Sequence, residues 1–265
     1  MWDLENLHAL RDSLATQGAA EQFDQWVRQE CLAQSACAFF LRFLKNENTA
    51  EIASEILQLL TPVDVLCGSA ARRLSKYHFR ASEILIETGD QEEIGLGFKV
   101  WGCAEAMMRH LEKASISVRD RQILELGAGL GLLTICAAAA GAKAALATDL
   151  KPRLLEIASL NFQRNSAVTG DCEILTAVLD WANPGDCKSV GNFRGAVLLA
   201  SDVIYENAHA KMLNSCIAFL IDSGIVCEAW VTLKKNRPGV AEFLNFPGNR
   251  SVFEEEEIVL VHLFH

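Results

Sequence analysis

The chain has 265 residues, 51% of them apolar and 22% charged, which suits one large globular domain with or without an appendage and excludes a chain dominated by disorder. A net charge of −10 argues against a nucleic-acid backbone as the main partner, because phosphate binding needs clustered Lys and Arg; basic proteins and cationic small molecules fit better. Nine cysteines stand singly, with no CxxC pair and no histidine spacing for zinc, so they read as reduced thiols and no metal is expected.

The start carries Asp3 and Glu5 where a signal peptide is basic, and no apolar run reaches 18 residues, so we expect no membrane segment and an intracellular location, cytoplasm first and nucleus second. Over the first 60 residues Leu4, Leu7, Leu10 and Leu14 recur at helical spacing, as do Ile52, Ile56, Leu59 and Leu60 up to Pro62. These residues define an expected helical appendage, residues 1–75, ahead of a second domain, residues 76–265. Within that domain "SEILIET" reads as a strand, "DQEEIGLG" as a polar connection, and "FKVWGCAEAMMRHLEKA" as a helix burying Val100, Ala104, Met107, Met108 and Leu111.

Apolar runs and helical stretches then alternate: "RQILELG", "LTICAAAAGA", "KAALATDL", "RLLEIASLNFQRN", "CEILTAVLDW", "GAVLLASDVIY", "HAKMLNSCIAFLIDSG" and "IVCEAWVTLKK". Continuous rather than alternating hydrophobicity predicts a parallel sheet covered on both faces, and right-handed crossovers place every strand's carboxyl end on one edge. The final "RSVFEEEEIVLVHLFH" reads as a strand pair or one long strand, with Glu254 to Glu257 as a solvated turn.

"LELGAGLGLLT" closes the first of these strands. A P-loop needs a Lys that is absent, and the dinucleotide fingerprint wants a glycine where Leu132 stands. Charge separates the options further. Pyrophosphate binds helix N-termini because amides and the helix dipole attract anions, yet the expected strand ends carry Glu125, Asp149, Asp180 and Asp202. That edge suits a cation, and S-adenosyl-L-methionine is a phosphate-free nucleoside with a sulfonium and an ammonium group. Gly127, Gly129 and Gly131 then allow close backbone approach, and Glu125 favours the ammonium directly or through water. Asp149 accepts from the ribose hydroxyls, while Asp180 accepts from the adenine amino group and Trp181 walls the ring. Each feature alone has a plainer explanation, a tight turn, a helix cap or a core tryptophan; their order at successive strand ends is what points to one site.

That order resembles the class I, seven-stranded methyltransferases, and "KVWGCAEAM", "LDW" and "SDVIYE" are similar to segments of methyltransferase family 16, which contains many protein-lysine methyltransferases. The resemblance spans roughly Phe79 to Leu233. The stretch "FFLRFLKNENTAEIASEILQLL" is also similar to the helical appendage of the elongation-factor-2 lysine methyltransferase branch. The resemblance implies an α/β fold, a seven-stranded, mostly parallel Rossmann-like sheet with the helical appendage before it, and a protein substrate carrying an acceptor lysine. It also implies that Trp101 lines the cofactor pocket, that Asp202 lies by the methionine end and the incoming substrate, and that Tyr205 borders the acceptor channel. We expect Trp101 and Tyr205 to wall that channel and Asp202 to orient the amine. Two other functions share these motifs: a small-molecule methyltransferase, and a cofactor-binding interaction protein without activity.

Overall fold

The computed structural model describes residues 74–89, 95–187, 189–248 and 250–264. The helices expected over the first 60 residues lie outside the described residues, as do residues 90–94 of the polar connection. Leu74 and Ser75 open the first described strand.

Strands β1 (Leu74–Phe79) and β2 (Ser82–Glu87) form an antiparallel hairpin of their own. β1 is not among the expected elements, since "LSKYHF" alternates exposed and half-buried residues and buries only Phe79 fully. Among the described residues the free edge of β2 pairs with no further strand; two asparagines of helix α3 (Pro152–Arg164) and its end take that place. Asn161 Oδ1 accepts the Glu87 N–H (2.8 Å) and Asn165 Oδ1 that of Leu85 (2.9 Å), while their amide groups donate back to the Glu87 and Leu85 carbonyls. Spacing i, i+4 puts both side chains on one helix face, so they copy the donor and acceptor pattern of a neighbouring strand.

Between hairpin and main sheet, Gly95–Phe98 makes a 3-10 turn and Trp101 stays extended (φ −100°, ψ 155°), so helix α1 (Gly102–Glu112) starts four residues later than expected. It buries Ala104, Met107, Met108 and Leu111, as its spacing requires. Val100 precedes the helix and is half-buried.

The remaining strands and α-helices are β3 (Gln122–Leu126), α2 (Leu132–Ala139), β4 (Ala144–Asp149), α4 (Ser166–Thr169), β5 (Glu173–Val178), β6 (Ala196–Ser201), α5 (Asn207–Asp222), β7 (Val226–Lys234), α6 (Val240–Leu244), β8 (Arg250–Glu255) and β9 (Ile258–Phe264). Seven strands join in the order β5-β4-β3-β6-β7-β9-β8, β3 to β7 parallel and β9 antiparallel to both neighbours. The expected mostly parallel sheet is therefore present, and the C-terminal segment is a strand pair. Successive residues face opposite sides: Ile123, Ala145, Val197 and Leu199 enter one core with α1 to α3, whereas Leu124, Leu146, Leu198 and Ala200 enter a second with α5 and α6. Burial on both faces is why these runs are continuously apolar. Edge strand β5 differs, leaving Leu175 and Val178 exposed.

Glu254 and Glu255 belong to β8 rather than to a turn, and Lys235 reaches Glu254 (2.8 Å), Lys234 reaches Glu257 (3.1 Å) and His110 reaches Glu255 (3.4 Å). Three of the four glutamates thus have a basic neighbour, while all four stay exposed to solvent.

From β3 the chain moves outward through β4 to β5, then crosses back to lay β6 on the other side of β3. Strand order reverses between β3 and β6, and a crevice opens at that point beyond the strands' carboxyl ends. The register sets Leu126 level with both Thr148 and Ala200, so the glycine loop, Asp149 and Asp202 emerge together at that crevice.

Candidate functional site

The loop after β3 is built from three left-handed glycines, each used differently. A Cβ on Gly127 (φ +66°) would lie 2.7 Å from Val203 Cγ1, and one on Gly131 (φ +84°) 2.4 Å from Phe162 of α3. Those two positions need glycine for packing as well as for backbone angle. A Cβ on Gly129 (φ +52°) meets nothing within 4 Å, so this is where the backbone borders open space. The loop is braced by Gly131 N–H to the Ala128 carbonyl (2.8 Å), and by Asn161, which donates to the Leu130 carbonyl (3.0 Å) while holding the hairpin.

Asp149 closes β4, and its carboxylate already serves the loop: Oδ2 accepts the Gly129 N–H and Oδ1 the Lys151 N–H, each at 3.1 Å. Burial, the largest cause, raises its pKa against the lowering effect of these amides. Each oxygen keeps a lone pair for a further donor. Glu125 is 2% exposed and faces α2, where the Thr134 hydroxyl donates to its Oε2 (2.5 Å). Burial pushes its carboxyl up to about 8, with the Thr134 hydrogen bonds opposing and the Asp149 charge adding to the rise.

Asp180 lies two residues past the end of β5 and is exposed. Buried Leu179, whose N–H donates to the Asp149 carbonyl (3.0 Å), prolongs the apolar run in the sequence and makes the strand read longer than it is. Asp180 Oδ1 accepts the Ala182 N–H (2.9 Å), an Asx-type turn that presents Trp181 beside Gly127.

The outer part of the site divides into two groups, so Trp101 and Tyr205 make their ring contacts separately. In one, Trp181 and Tyr205 pack edge-on against His209, at 6.1 and 4.3 Å between ring centroids. Tyr205 is 38% exposed, and burial followed by the Asp149 and Glu206 charges raises its phenol pKa. In the other, Asp202 (φ +54°) follows β6, its side chain 6% exposed, and pairs through Oδ2 with Arg237 Nη2 at 2.8 Å. The Arg237 guanidinium lies 5.3 Å from the centroid of Trp101, whose Nε1–H donates to the Leu96 carbonyl (2.8 Å). Lys99 Nζ is 4.4 Å from the same ring. Cys103 and Cys136 are buried packing residues, and burial first, then the Asp202 charge, pushes the Cys103 thiol up to about 12.

Sequence reasoning missed Arg237, His209 and Thr134. Thr134 was findable, as the first-turn hydroxyl of the helix behind the loop. Nothing local in "KKNRPG" says that its arginine returns to a carboxylate 35 residues earlier.

Sheet order, reversal point and glycine loop define a Rossmann-like methyltransferase fold. The 16S rRNA N2 G1207 methyltransferase RsmC of T. thermophilus, solved with AdoMet and guanosine, shares it at a TM-score of 0.54 and 13% identity, over 72% of this chain and 50% of that one. The family model described as lysine methyltransferase matches residues 80–246, more than half of the chain, and the chain belongs to that family. Among curated relatives, Protein N-lysine methyltransferase METTL21A of Danio rerio is 28% identical over 138 residues (50% of this chain, 62% of the relative). Protein-lysine N-methyltransferase rrg1 of Schizosaccharomyces pombe is 33% identical over 139 residues (49% and 45%), and Protein-lysine methyltransferase METTL21E of Mus musculus 35% over 144 (52% and 55%). The chain spans about half the length of the curated relatives it matches.

Proposed function

We propose that this protein is an S-adenosyl-L-methionine-dependent methyltransferase that methylates the Nζ of a lysine in a protein substrate, such as a translation factor or chaperone. One observation carries the cofactor: Asp149 Oδ2 takes the amide of Gly129, the loop position that borders open space. An incoming pyrophosphate would compete with that carboxylate for the amide and meet its negative charge. A nucleoside whose charges are a sulfonium and an ammonium gains from the same carboxylate, and two ribose hydroxyls can use the lone pairs that Asp149 keeps. Trp181 supplies the adenine wall, and Asp180 accepts from the adenine amino group.

When bound, the cofactor supplies a methyl group on a cationic sulfur. The protein's own task is to hold a neutral amine in line with that methyl and to keep water away. Asp202 orients the amine, with Trp101 and Tyr205 bordering its approach. Family membership and the relatives' names support lysine as acceptor. The same reading assigns methyl transfer to the domain that the described strands and helices build, from Leu74 onward. The six cysteines among the described residues are free, which fits a reducing compartment, and we propose the cytoplasm.

The test is incubation of the protein with radiolabelled cofactor and cell extract. The wild type should label a discrete protein band, Asp202→Ala should lower that labelling at least tenfold, and lysine should carry the label on digestion. Cofactor binding by calorimetry with no labelled band would overturn methyl transfer to protein.

A further inference from the structure

Arg237 lies in the connection between β7 and α6, and its backbone is pinned beside the site. Gly239 (φ +86°) packs so closely that a Cβ there would sit 2.9 Å from the Glu206 carbonyl oxygen and 3.2 Å from Asn207 Cα. From this anchored turn the guanidinium reaches Asp202, but with one prong only. Asp202 Oδ1 and Arg237 Nε are both buried without a hydrogen-bond partner, and the Cys103 thiol lies close enough to Asp202 to interact with its carboxylate. Arginine and carboxylate normally meet through two parallel bonds; here one carboxylate oxygen is kept back in a side chain that is 94% buried.

We propose that Arg237 is a positioning residue of the acceptor site: it neutralises Asp202 through Oδ2, so that Oδ1 accepts a hydrogen bond from the acceptor amine without stabilising its ammonium form. The inference rests on lysine methylation as the reaction. A nucleophilic amine needs its lone pair, and free lysine, with a pKa of about 10.4, is almost wholly protonated at neutral pH. An unpaired carboxylate next to it would raise that value by roughly 1–3 units and hold the unreactive cation. A carboxylate with a guanidinium on its other oxygen offers the same acceptor atom with no net charge. The titratable and charged groups around the pair do not restore a negative field: Cys103 of α1 is a buried thiol, Lys234 of β7 is paired with Glu257, and Lys99 lies over Trp101.

The test uses the full chain loaded with S-adenosylhomocysteine and n-butylamine as the probe, the reactive end of a lysine side chain. Its affinity is followed by ligand-observed NMR from pH 7 to pH 10 for wild type, Arg237→Lys and Arg237→Gln. Wild-type affinity should rise with pH as the amine loses its proton. Arg237→Gln should bind at least tenfold more tightly at pH 7 and weaken as pH rises, and Arg237→Lys should restore the wild-type trend. Calorimetry of the cofactor product on each variant checks that the site is folded. A common pH trend in all three proteins overturns the inference. The labelling rate of an extract band should reach half its maximum about one pH unit higher in Arg237→Gln than in wild type. Expected amine binding with no band labelled by wild type would leave the neutralising role of Arg237 standing and overturn methyl transfer to lysine instead.

Discussion

Replacing Glu125 with Gln should make the protein less sensitive to alkaline pH. The carboxyl sits at 2% exposure in the core facing α2, and its pKa is raised from the usual 4.5 to about 8, chiefly by burial. The folded state therefore holds this proton more tightly than the unfolded chain does. Stability is fully present below about pH 4.5, falls as pH rises, and has lost this contribution once pH passes about 8. At about 1.4 kcal/mol per pH unit the loss approaches roughly 5 kcal/mol, a ceiling that relaxation and water entry lower. Glutamine keeps an oxygen for the Thr134 hydroxyl and removes the titration. Urea denaturation followed by circular dichroism at pH 5, 7 and 9, without cofactor and at constant ionic strength, should give similar stabilities at pH 5. At pH 9 the variant should be the more stable relative to its own pH 5 value, by about 3 kcal/mol or more. Parallel curves for the two proteins would refute the assignment of a displaced proton equilibrium to Glu125.

The last two glycines of the loop should separate packing from binding. Gly131→Ala drives a Cβ against Phe162 and should cost on the order of 3 kcal/mol in denaturant titrations, whereas Gly129→Ala carries only its backbone strain, about 1 kcal/mol, and should chiefly weaken cofactor binding measured by calorimetry. Asp149→Asn keeps an acceptor for the Gly129 amide but loses the charge, and cofactor affinity should fall at least tenfold with melting temperature little changed. Asn161→Ala strands the Glu87 N–H and two buried carbonyls, for a loss of roughly 3–4 kcal/mol; hydrogen exchange should quicken first at Glu87.

Sheet and loop were legible because each rests on local chemistry. Doubly buried strands demand unbroken apolar runs such as "AALA", and three left-handed turns demand glycine. What escaped depends on partners far along the chain. β1 has too little burial to show a pattern, and α6 is five residues with a single turn of periodicity. Asp180 reads as a strand end because Leu179 is buried for tertiary reasons. The carboxylates Asp149 and Asp202 declare themselves by position, but whether each stands alone does not: one is engaged by a loop amide, the other by an arginine from beyond β7.

Asn161 adds a direct polar link between two parts of the molecule that already share one core. Its single amide group touches the Glu87 carbonyl of the hairpin and the Leu130 carbonyl of the glycine loop. Free energy that tightens one is therefore felt by the other, and thermodynamic reciprocity makes the effect equal in both directions. A macromolecule that grips the β1–β2 hairpin would alter cofactor affinity by the same factor by which cofactor alters its own grip. In that respect the hairpin is a handle on the nucleoside pocket, reached through Asn161 and the core the two share.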